Sequence, residues 1–314
     1  MTDDSQAKPL SWRVMGGVDR LVSAAWPRGM HRMNGYLFVL PALALVFILV
    51  ISLAVMVEYS LHELNLATYR LREEYSLVNY AIAFEQPVYG RVLWRSLLAA
   101  AIVTAVCLVL AFPYAYLMVR TRSAAARKGL LVALFLPFFI GQIVRAYGWL
   151  IILGQQGLVN STLAAFGVAK LDLIYNYPAV IFGLVQYMLP FAVLLLTPAI
   201  AAIGEEMEQA SEGLGANWIS TFRHVVIPMS VPGIVGASVV VFTLTLTDFA
   251  MPQILGGGTT DFIANAIYDS YFRLSNLGLG SALSVILVLV GSAFVALMFM
   301  VAGTGTLGTS GGRR

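Results

Sequence analysis

Six long runs of apolar residues constrain this chain more than any other feature of its sequence. Each run is long enough to cross roughly 30 Å of hydrocarbon as a helix that rises about 1.5 Å per residue. The runs cover residues 36–60, 93–119, 130–153, 178–200, 231–255 and 279–301. Only 11% of the residues are charged, against about a quarter in a soluble domain. The sequence therefore predicts an all-α, polytopic membrane protein with six transmembrane helices.

The predicted spans divide the chain into three parts. Residues 1–35 are polar and basic and lack the short apolar core and cleavage site of a signal peptide. Residues 36–303 form the membrane domain, which includes a polar loop at 201–230. Residues 304–314 are rich in glycine and threonine and are predicted to form a flexible tail. The single cysteine, Cys107, excludes an intramolecular disulfide.

Basic residues concentrate on one side of the membrane in this arrangement. With the N-terminus inside, the inside segments hold Lys8, Arg13, Arg20, Arg28, Arg32, Arg120, Arg122, Arg127, Lys128, Arg223, Arg313 and Arg314. The outside segments hold half as many, namely Arg70, Arg72, Arg91, Arg95, Lys170 and Arg273. Both termini are therefore predicted to be cytoplasmic. The net charge of +3 is too small to indicate nucleic acid as a partner.

One inside segment is unlike the rest of the chain: residues 205–230 read EEMEQASEGLGANWISTFRHVVIPMS. Acidic residues at its start complement the positive end of a short helix, and Asn217 can cap a second helix that stops at Pro228. Two glycines lie between these helices and predict a sharp bend. Such a hairpin could simply rest on the membrane surface, but its low basic charge favours a protein partner over lipid.

This segment resembles the cytoplasmic coupling segment of the permease subunits of ABC importers. Gln209-Ala210-Ser211 matches the Glu-Ala-Ala positions, Gly215 the glycine, and Val225 with Ile227-Pro228 the closing positions, at the family's spacing. Gln209 replaces the usual glutamate, with Glu208 beside it, and Ser211 replaces the second alanine. The resemblance implies that ATPase subunits dock here, on Glu208, Gln209, Ala210, Ser211, Gly215, Ala216, Trp218 and Phe222.

Further stretches are similar to permeases of the spermidine/putrescine subgroup. They are YSLVNYAIAFEQPVYGRVLWRSLLAA, IVRAYGWLIILGQQGLVN and LTDFAMPQILGGG. The resemblance implies a type I ABC importer permease fold in a bacterial inner membrane, with lipid around it. It also implies three kinds of partner: two cytoplasmic ATPase subunits that bind ATP and Mg, a second and usually different permease, and a periplasmic binding protein. The implied cargo is a polyamine or related small organic cation.

The lysines of the chain agree with the implication that ATP is bound by partner subunits and not by this chain. A nucleotide-binding P-loop needs Gly-Lys before Ser or Thr, whereas Lys8, Lys128 and Lys170 each follow Ala or Arg. We therefore expect no cofactor in this chain and no enzyme activity of its own. The three histidines, His31, His62 and His224, fall in separate loops, so no metal site or catalytic group is predicted.

Two charged residues fall inside predicted spans, where a charge costs about 2.5–3.5 kcal/mol and indicates a functional site. Counted from the cytoplasmic side, Arg145 and Asp248 lie at similar depths of roughly 22–26 Å. They could form a pair that fixes helix register or gates the channel, or Asp248 could face a cationic substrate without Arg145. Gln142, Tyr147, Trp149 and Phe249 lie nearby in sequence and complete the predicted substrate pathway, although Tyr147 and Trp149 also suit the aromatic belt of a membrane.

Three other classes of protein compete with this interpretation. An intramembrane enzyme would need a catalytic or metal-binding cluster, which the sequence does not offer. A scaffold subunit would explain the polar segment but not the charges within the spans. An ion-coupled secondary transporter is the main alternative, since Arg145 and Asp248 could move protons or sodium ions, yet such carriers show repeated halves that are absent here.

Overall fold

The computed structural model describes residues 34–302. The predicted N-terminal segment lies outside these residues except at its last two positions, and the predicted tail lies outside them entirely. The described chain is helical except for one short hairpin and its connections. In chain order its main elements are α1 (Asn34–Ser60), β1 (His62–Asn65), β2 (Arg70–Tyr75), α2 (Val78–Glu85), α3 (Pro87–Arg120), α4 (Ala124–Phe135), α5 (Gln142–Leu153), α6 (Leu158–Ala165), α7 (Tyr177–Ala201), α8 (Glu205–Gly213), α9 (Trp218–Thr221), α10 (Ile227–Met229), α11 (Val231–Leu246), α12 (Ala250–Leu255), α13 (Ile263–Tyr268) and α14 (Leu277–Ala302).

Four helices are long and apolar enough to cross a membrane without a break, and six crossings result if two bent pairs each count as one. The continuous helices are α1, α3, α7 and α14. The first bent pair runs through α4, α5 and α6, and the second through α9, α10 and α11. The count of six therefore agrees with the prediction, but the third and fifth spans are not straight.

The third span was predicted as one helix over residues 130–153, and this is wrong. The structure turns by 94° between the segment that ends at Phe139 and the one that begins at Gln142. Pro137 lies in a short 3-10 turn at the break, where it offers no amide hydrogen for a continuing helix. Arg145 lies beyond this bend, so its depth cannot be counted along a straight helix.

The fifth span, predicted over residues 231–255, is also interrupted. α11 ends at Leu246, and α12 begins only at Ala250. Asp248 lies in the gap, where its Oδ1 accepts a hydrogen bond from the amide of Met251 (2.9 Å). A side-chain acceptor at a helix start competes with continuation of the preceding helix, which explains the interruption.

The loop predicted between the first two spans contains secondary structure as well. β1 and β2 pair as an antiparallel hairpin, with Leu64 opposite Leu71. The side chain of Asn79 is buried and donates to the carbonyls of Ser60 and His62. These bonds attach the hairpin to α2.

The chain divides into two compact units, one that ends at Val55 and one that begins at Met56. Small and apolar side chains form a fully buried stripe along α3, at every fourth residue: Ala99, Val103, Cys107, Ala111 and Ala115. Residues four apart share one helix face. The stripe belongs to the main core, together with buried residues of α7 such as Leu184 and Leu196. Small side chains let membrane helices approach closely.

Helices α3 and α7 run parallel and define two ends of the bundle. The Tyr177 hydroxyl, at the start of α7, donates to the carbonyl of Arg95 near the start of α3 (3.4 Å). At the other end Arg120 donates to the carbonyl of Ile203 (2.8 Å). We call these the Arg95 end and the Arg120 end.

Candidate functional site

The polar segment at the Arg120 end folds as two short helices around a sharp bend, as predicted. Gly215 has a backbone φ of +87°, a conformation that residues with a Cβ rarely adopt. The amide of Ala216 donates to the carbonyl of Ser211 (3.2 Å), which closes the turn at the end of α8. Asn217 caps α9 by accepting a hydrogen bond from the amide of Ser220 (2.8 Å).

The inner side of this segment is fixed to its own chain. The ring of Phe222 packs edge to face against Phe112 (5.3 Å between centroids) and Tyr116 (5.5 Å) of α3. Trp218 stacks on the same ring at 5.4 Å. The hydroxyls of Ser211 and Thr221 lie 3.0 Å apart and connect α8 to α9. The bend is therefore a folded unit on the end of α3.

Glu208 also faces into the chain, which the sequence did not predict. Its Oε1 accepts hydrogen bonds from Nε (2.8 Å) and Nη2 (2.5 Å) of Arg120, and its Oε2 accepts from the Tyr116 hydroxyl (2.6 Å). The side chains of Arg120 and Glu208 are only 16% and 14% exposed. The sequence marked Arg120 only as a basic residue at the end of a span, and nothing in the sequence marked Tyr116.

The outer side of the segment is apolar and open. Leu214 is 91% exposed. Met207, Trp218 and Ile219 are exposed as well, and so are the predicted coupling residues Gln209 and Ala210. The predicted coupling set therefore divides in two: Glu208, Ser211 and Phe222 hold the segment in place, while the remaining members lie on the surface or at its edge.

The predicted substrate residues Gln142 and Asp248 meet at the gap between α11 and α12. Asp248 is 7% exposed. The Gln142 side-chain amide donates to Oδ2 of Asp248, and the Met251 amide donates to Oδ1. Both oxygens of this carboxylate are thus held by neutral donors. Within residues 34–302, Arg145 and Asp248 do not form an ion pair.

Arg145 instead forms hydrogen bonds across the bend of the third span. Its Nη2 donates to the carbonyls of Pro137 and Ile140, on the other side of the break. The guanidinium lies 5.4 Å from the centroid of the Tyr187 ring. Its Nε and Nη1 are buried and have no hydrogen-bond partner among the described residues. Tyr187 was missed, because nothing in its local sequence marks it.

The three predicted aromatic residues do not gather around the charges. Trp149 donates to Oε1 of Gln186 (3.4 Å) and packs edge to face on Phe182. Phe249 packs against Tyr268, with 4.7 Å between centroids. Tyr147 lines a cavity of about 490 Å³ at the Arg95 end. Among the described residues of the predicted pathway, the structure joins Gln142 to Asp248 by a hydrogen bond, while Arg145 and the three aromatic residues have contacts elsewhere.

Replacing Arg145 by glutamine should destabilise the protein. The carbonyls of Pro137 and Ile140 would lose their shared donor at the break, and a backbone carbonyl left without a partner away from water costs about 1–3 kcal/mol. Thermal unfolding of the purified protein in detergent measures the change. Arg127→Gln is the matched control, because Arg127 also donates to two backbone carbonyls but is exposed. Equal unfolding temperatures for the two variants would contradict the assignment of Arg145 to the bend.

A second expected result concerns Asp261, in the loop at the Arg95 end. Burial raises the pKa of Asp261, and Asp269 raises it further, while Arg95 and Arg273 oppose the shift. The folded protein therefore binds this proton more tightly than the unfolded chain does. Stability should decrease as pH rises from about 4, the ordinary value for an aspartate, towards the raised value.

Asp261→Asn should remove this part of the pH dependence. Thermal unfolding across a series of pH values measures it, and Glu74→Gln, on the exposed surface of β2, is the control. Parallel pH profiles for wild type and Asp261→Asn would contradict the expectation.

The fold defines a class: a polytopic helical membrane protein with one polar, bent segment exposed at one end. Residues 126–304 match the family described as binding-protein-dependent transport system inner membrane component. The chain belongs to this family. It is therefore an inner-membrane permease subunit of an ABC importer and not an enzyme; in such transporters the ATPase is a separate subunit.

Individual relatives agree with the family. The spermidine/putrescine transport system permease protein PotB of Haemophilus influenzae is 32% identical over 212 residues, which are 67% of this chain and 73% of that protein. The inner membrane ABC transporter permease protein YdcU of Escherichia coli is 31% identical over 242 residues, 73% of this chain and 77% of that protein.

A solved structure agrees on the fold. One chain of a bacterial alginate ABC transporter, crystallised with an alginate pentasaccharide-bound periplasmic protein, superposes with a TM-score of 0.75 at 17% identity. The match covers 89% of this chain and 97% of that one. The predicted type I importer permease fold is therefore confirmed, and the ion-coupled secondary transporter is not favoured.

Proposed function

We propose that this permease forms half of the translocation pathway for a polyamine or a related small organic cation. The observation that carries the proposal is the carboxylate of Asp248, which is buried beside two helix breaks and, among residues 34–302, is held by neutral donors alone. A buried carboxylate normally requires a cationic partner. A protonated amine of the substrate would meet that requirement. The relatives named for spermidine and putrescine transport support this choice of cargo.

The exposed coupling segment is the proposed binding site for an ATPase subunit. Two cytoplasmic ATPase subunits, which bind ATP and Mg, would dock on the coupling segments of this chain and of a second, different permease. The exposed apolar side chains of Leu214, Trp218 and Ile219 support a protein partner here, because apolar side chains exposed on such a segment mark interaction sites. We call these exposed apolar side chains the docking surface. Gln209 stands where the family has glutamate, so this surface has no carboxylate at that position, while the small residues and the bend match the family.

The predicted orientation completes the proposal. With both termini cytoplasmic, the Arg120 end would face the ATPases and the Arg95 end would receive substrate from a periplasmic binding protein. The excess of basic residues at the Arg120 end, including Arg120, Arg122 and Arg127, supports this direction. With the native Cys107 replaced by alanine, labelling of Arg122→Cys from the cytoplasmic side only would agree with it, and labelling from the other side would contradict it.

The cargo can be tested by reconstituting the chain with its partner subunits and binding protein in proteoliposomes. We expect ATP-dependent uptake of labelled putrescine or spermidine. Ornithine is the matched competitor, since it is putrescine with an added carboxylate. Competition by unlabelled putrescine but not by ornithine would support a site built for a cation. Uptake without ATP, or equal competition by both compounds, would contradict the proposal.

A further inference from the structure

The contact between Arg120 and Glu208 joins three elements at one point. Arg120 is the last residue of α3, and Glu208 lies in the middle of α8. Nη2 of Arg120 donates both to Oε1 of Glu208 (2.5 Å) and to the carbonyl of Ile203 (2.8 Å), just after α7. One guanidinium therefore holds the coupling helix against the ends of the second and fourth spans.

Three of the roughly four acceptor positions of the Glu208 carboxylate are used within the chain. Both its oxygens are taken, one by Arg120 and the other by the Tyr116 hydroxyl. Its side chain is 14% exposed, whereas Glu205, Glu206 and Glu212 on the same helix are exposed. Hydrogen bonds between charged groups are about twice as strong as neutral ones and are directional. The bonds of Glu208 therefore act within the chain rather than at the docking surface.

Phe222 adds an apolar contact beside this ionic one. Its ring touches Tyr116 and Phe112 of the same helix. The coupling segment is thus attached to α3 by the Arg120–Glu208 ion pair, the Tyr116 hydroxyl and an aromatic cluster. Movement of α8 would have to displace the end of α3 or break these contacts.

We infer that Arg120 and Tyr116 are positioning residues for energy coupling: through Glu208 they transmit displacement of the coupling segment to the second and fourth spans. This inference rests on the proposed function, because it requires that the ATPases act on this segment. Removal of the ion pair should leave the docking surface in place and uncouple it from the pathway.

The test uses the complete reconstituted transporter and two readouts: co-purification of the ATPase subunits, and the number of substrate molecules imported per ATP hydrolysed. The variants are Arg120→Met, Glu208→Gln, their double mutant, Arg120→Lys and Tyr116→Phe. Glu205→Gln is the matched control, since it makes the same change on an exposed position of α8. Leu214→Asp tests docking itself.

We expect Arg120→Met and Glu208→Gln each to retain the ATPases but to lower import per ATP about tenfold, within the usual range for coupling between two sites. The double mutant should be no worse than either single variant, because all three lack the same interaction. Arg120→Lys should recover part of the loss, Tyr116→Phe should have a smaller effect, and Glu205→Gln should match wild type.

Three results would overturn the inference, and they are distinguishable. If Glu208→Gln loses the ATPases as Leu214→Asp does, Glu208 is a docking contact and the proposed function stands without the positioning role. If Leu214→Asp changes neither ATPase binding nor import, the coupling segment itself is wrongly assigned. Additive losses in the double mutant would also overturn it, since they would mean that Arg120 and Glu208 act separately.

Discussion

Uptake of a polyamine should fall about tenfold to a hundredfold when Asp248 is replaced by asparagine. The oxygen of asparagine can still accept the hydrogen bond from the Met251 amide, and Gln142 can rotate its own amide to match. The fold of the gap between α11 and α12 is therefore kept while the negative charge is lost. A hydrogen bond to a charged group contributes about 1.5–3 kcal/mol, and about 1.4 kcal/mol corresponds to a tenfold change.

The control for this prediction is Asp269→Asn. Asp269 forms an ion pair with Arg273 (3.1 Å) in which the arginine side chain is 64% exposed, and such surface pairs contribute about 0–1 kcal/mol. Initial rates of ATP-dependent uptake in proteoliposomes, over a range of substrate concentrations, measure both variants. Normal uptake by Asp248→Asn would mean that Asp248 only caps α12, and the case for a cationic substrate would lose its main support.

Substitution of Gly215 by valine should abolish ATP-driven import. Gly215 has φ of +87°, and a β-branched residue is a severe outlier in this region. The cost of about 1–3 kcal/mol for a strained residue is comparable to or larger than the contribution of the hydrogen bond from Ala216 to Ser211 that closes this turn. The bend should open, and Leu214 and Trp218 would then no longer form one docking surface.

Gly213→Val separates this effect from the size of the side chain. A Cβ at either glycine would meet nothing within 4 Å, so neither substitution causes a clash at that atom. Gly213 belongs to α8 and does not have a positive φ, and valine there should leave import close to normal. Co-purification of the ATPase subunits and vanadate-sensitive ATP hydrolysis measure the difference. Equal losses of ATPase binding and ATP hydrolysis in Gly213→Val and Gly215→Val would show that the backbone conformation at Gly215 does not cause the defect.

Much of the fold could be predicted because it depends on local patterns. Apolar runs of sufficient length predict membrane spans whatever surrounds them, since backbone groups in lipid must form their hydrogen bonds within a helix. The acidic start, the glycines and Asn217 predicted the two short helices and their bend from neighbouring residues alone. The breaks were harder: Pro137 was visible, but proline also occurs within continuous helices of this chain, as Pro113 does in α3.

The partners of the charged residues could not be predicted. Arg145 and Asp248 fell at similar positions in their spans, which made a mutual pair plausible. The bend of the third span gave Arg145 two backbone carbonyls instead, and the gap in the fifth placed Gln142 beside Asp248. Glu208 likewise seemed available to an ATPase, because nothing in the sequence placed Arg120 and Tyr116, about ninety residues earlier, against it.

The sequence by itself determined that the chain is a six-span membrane protein with one polar, bent segment, and its resemblance to ABC importer permeases, because length, hydropathy and residue spacing are local properties. Only the tertiary structure decided what each buried charge contacts. An ionisable group in a low-dielectric interior must take the donors or acceptors that packing brings to it, and those come from distant parts of the chain. Packing therefore placed neutral donors beside Asp248 and placed Arg120 and Tyr116 beside Glu208.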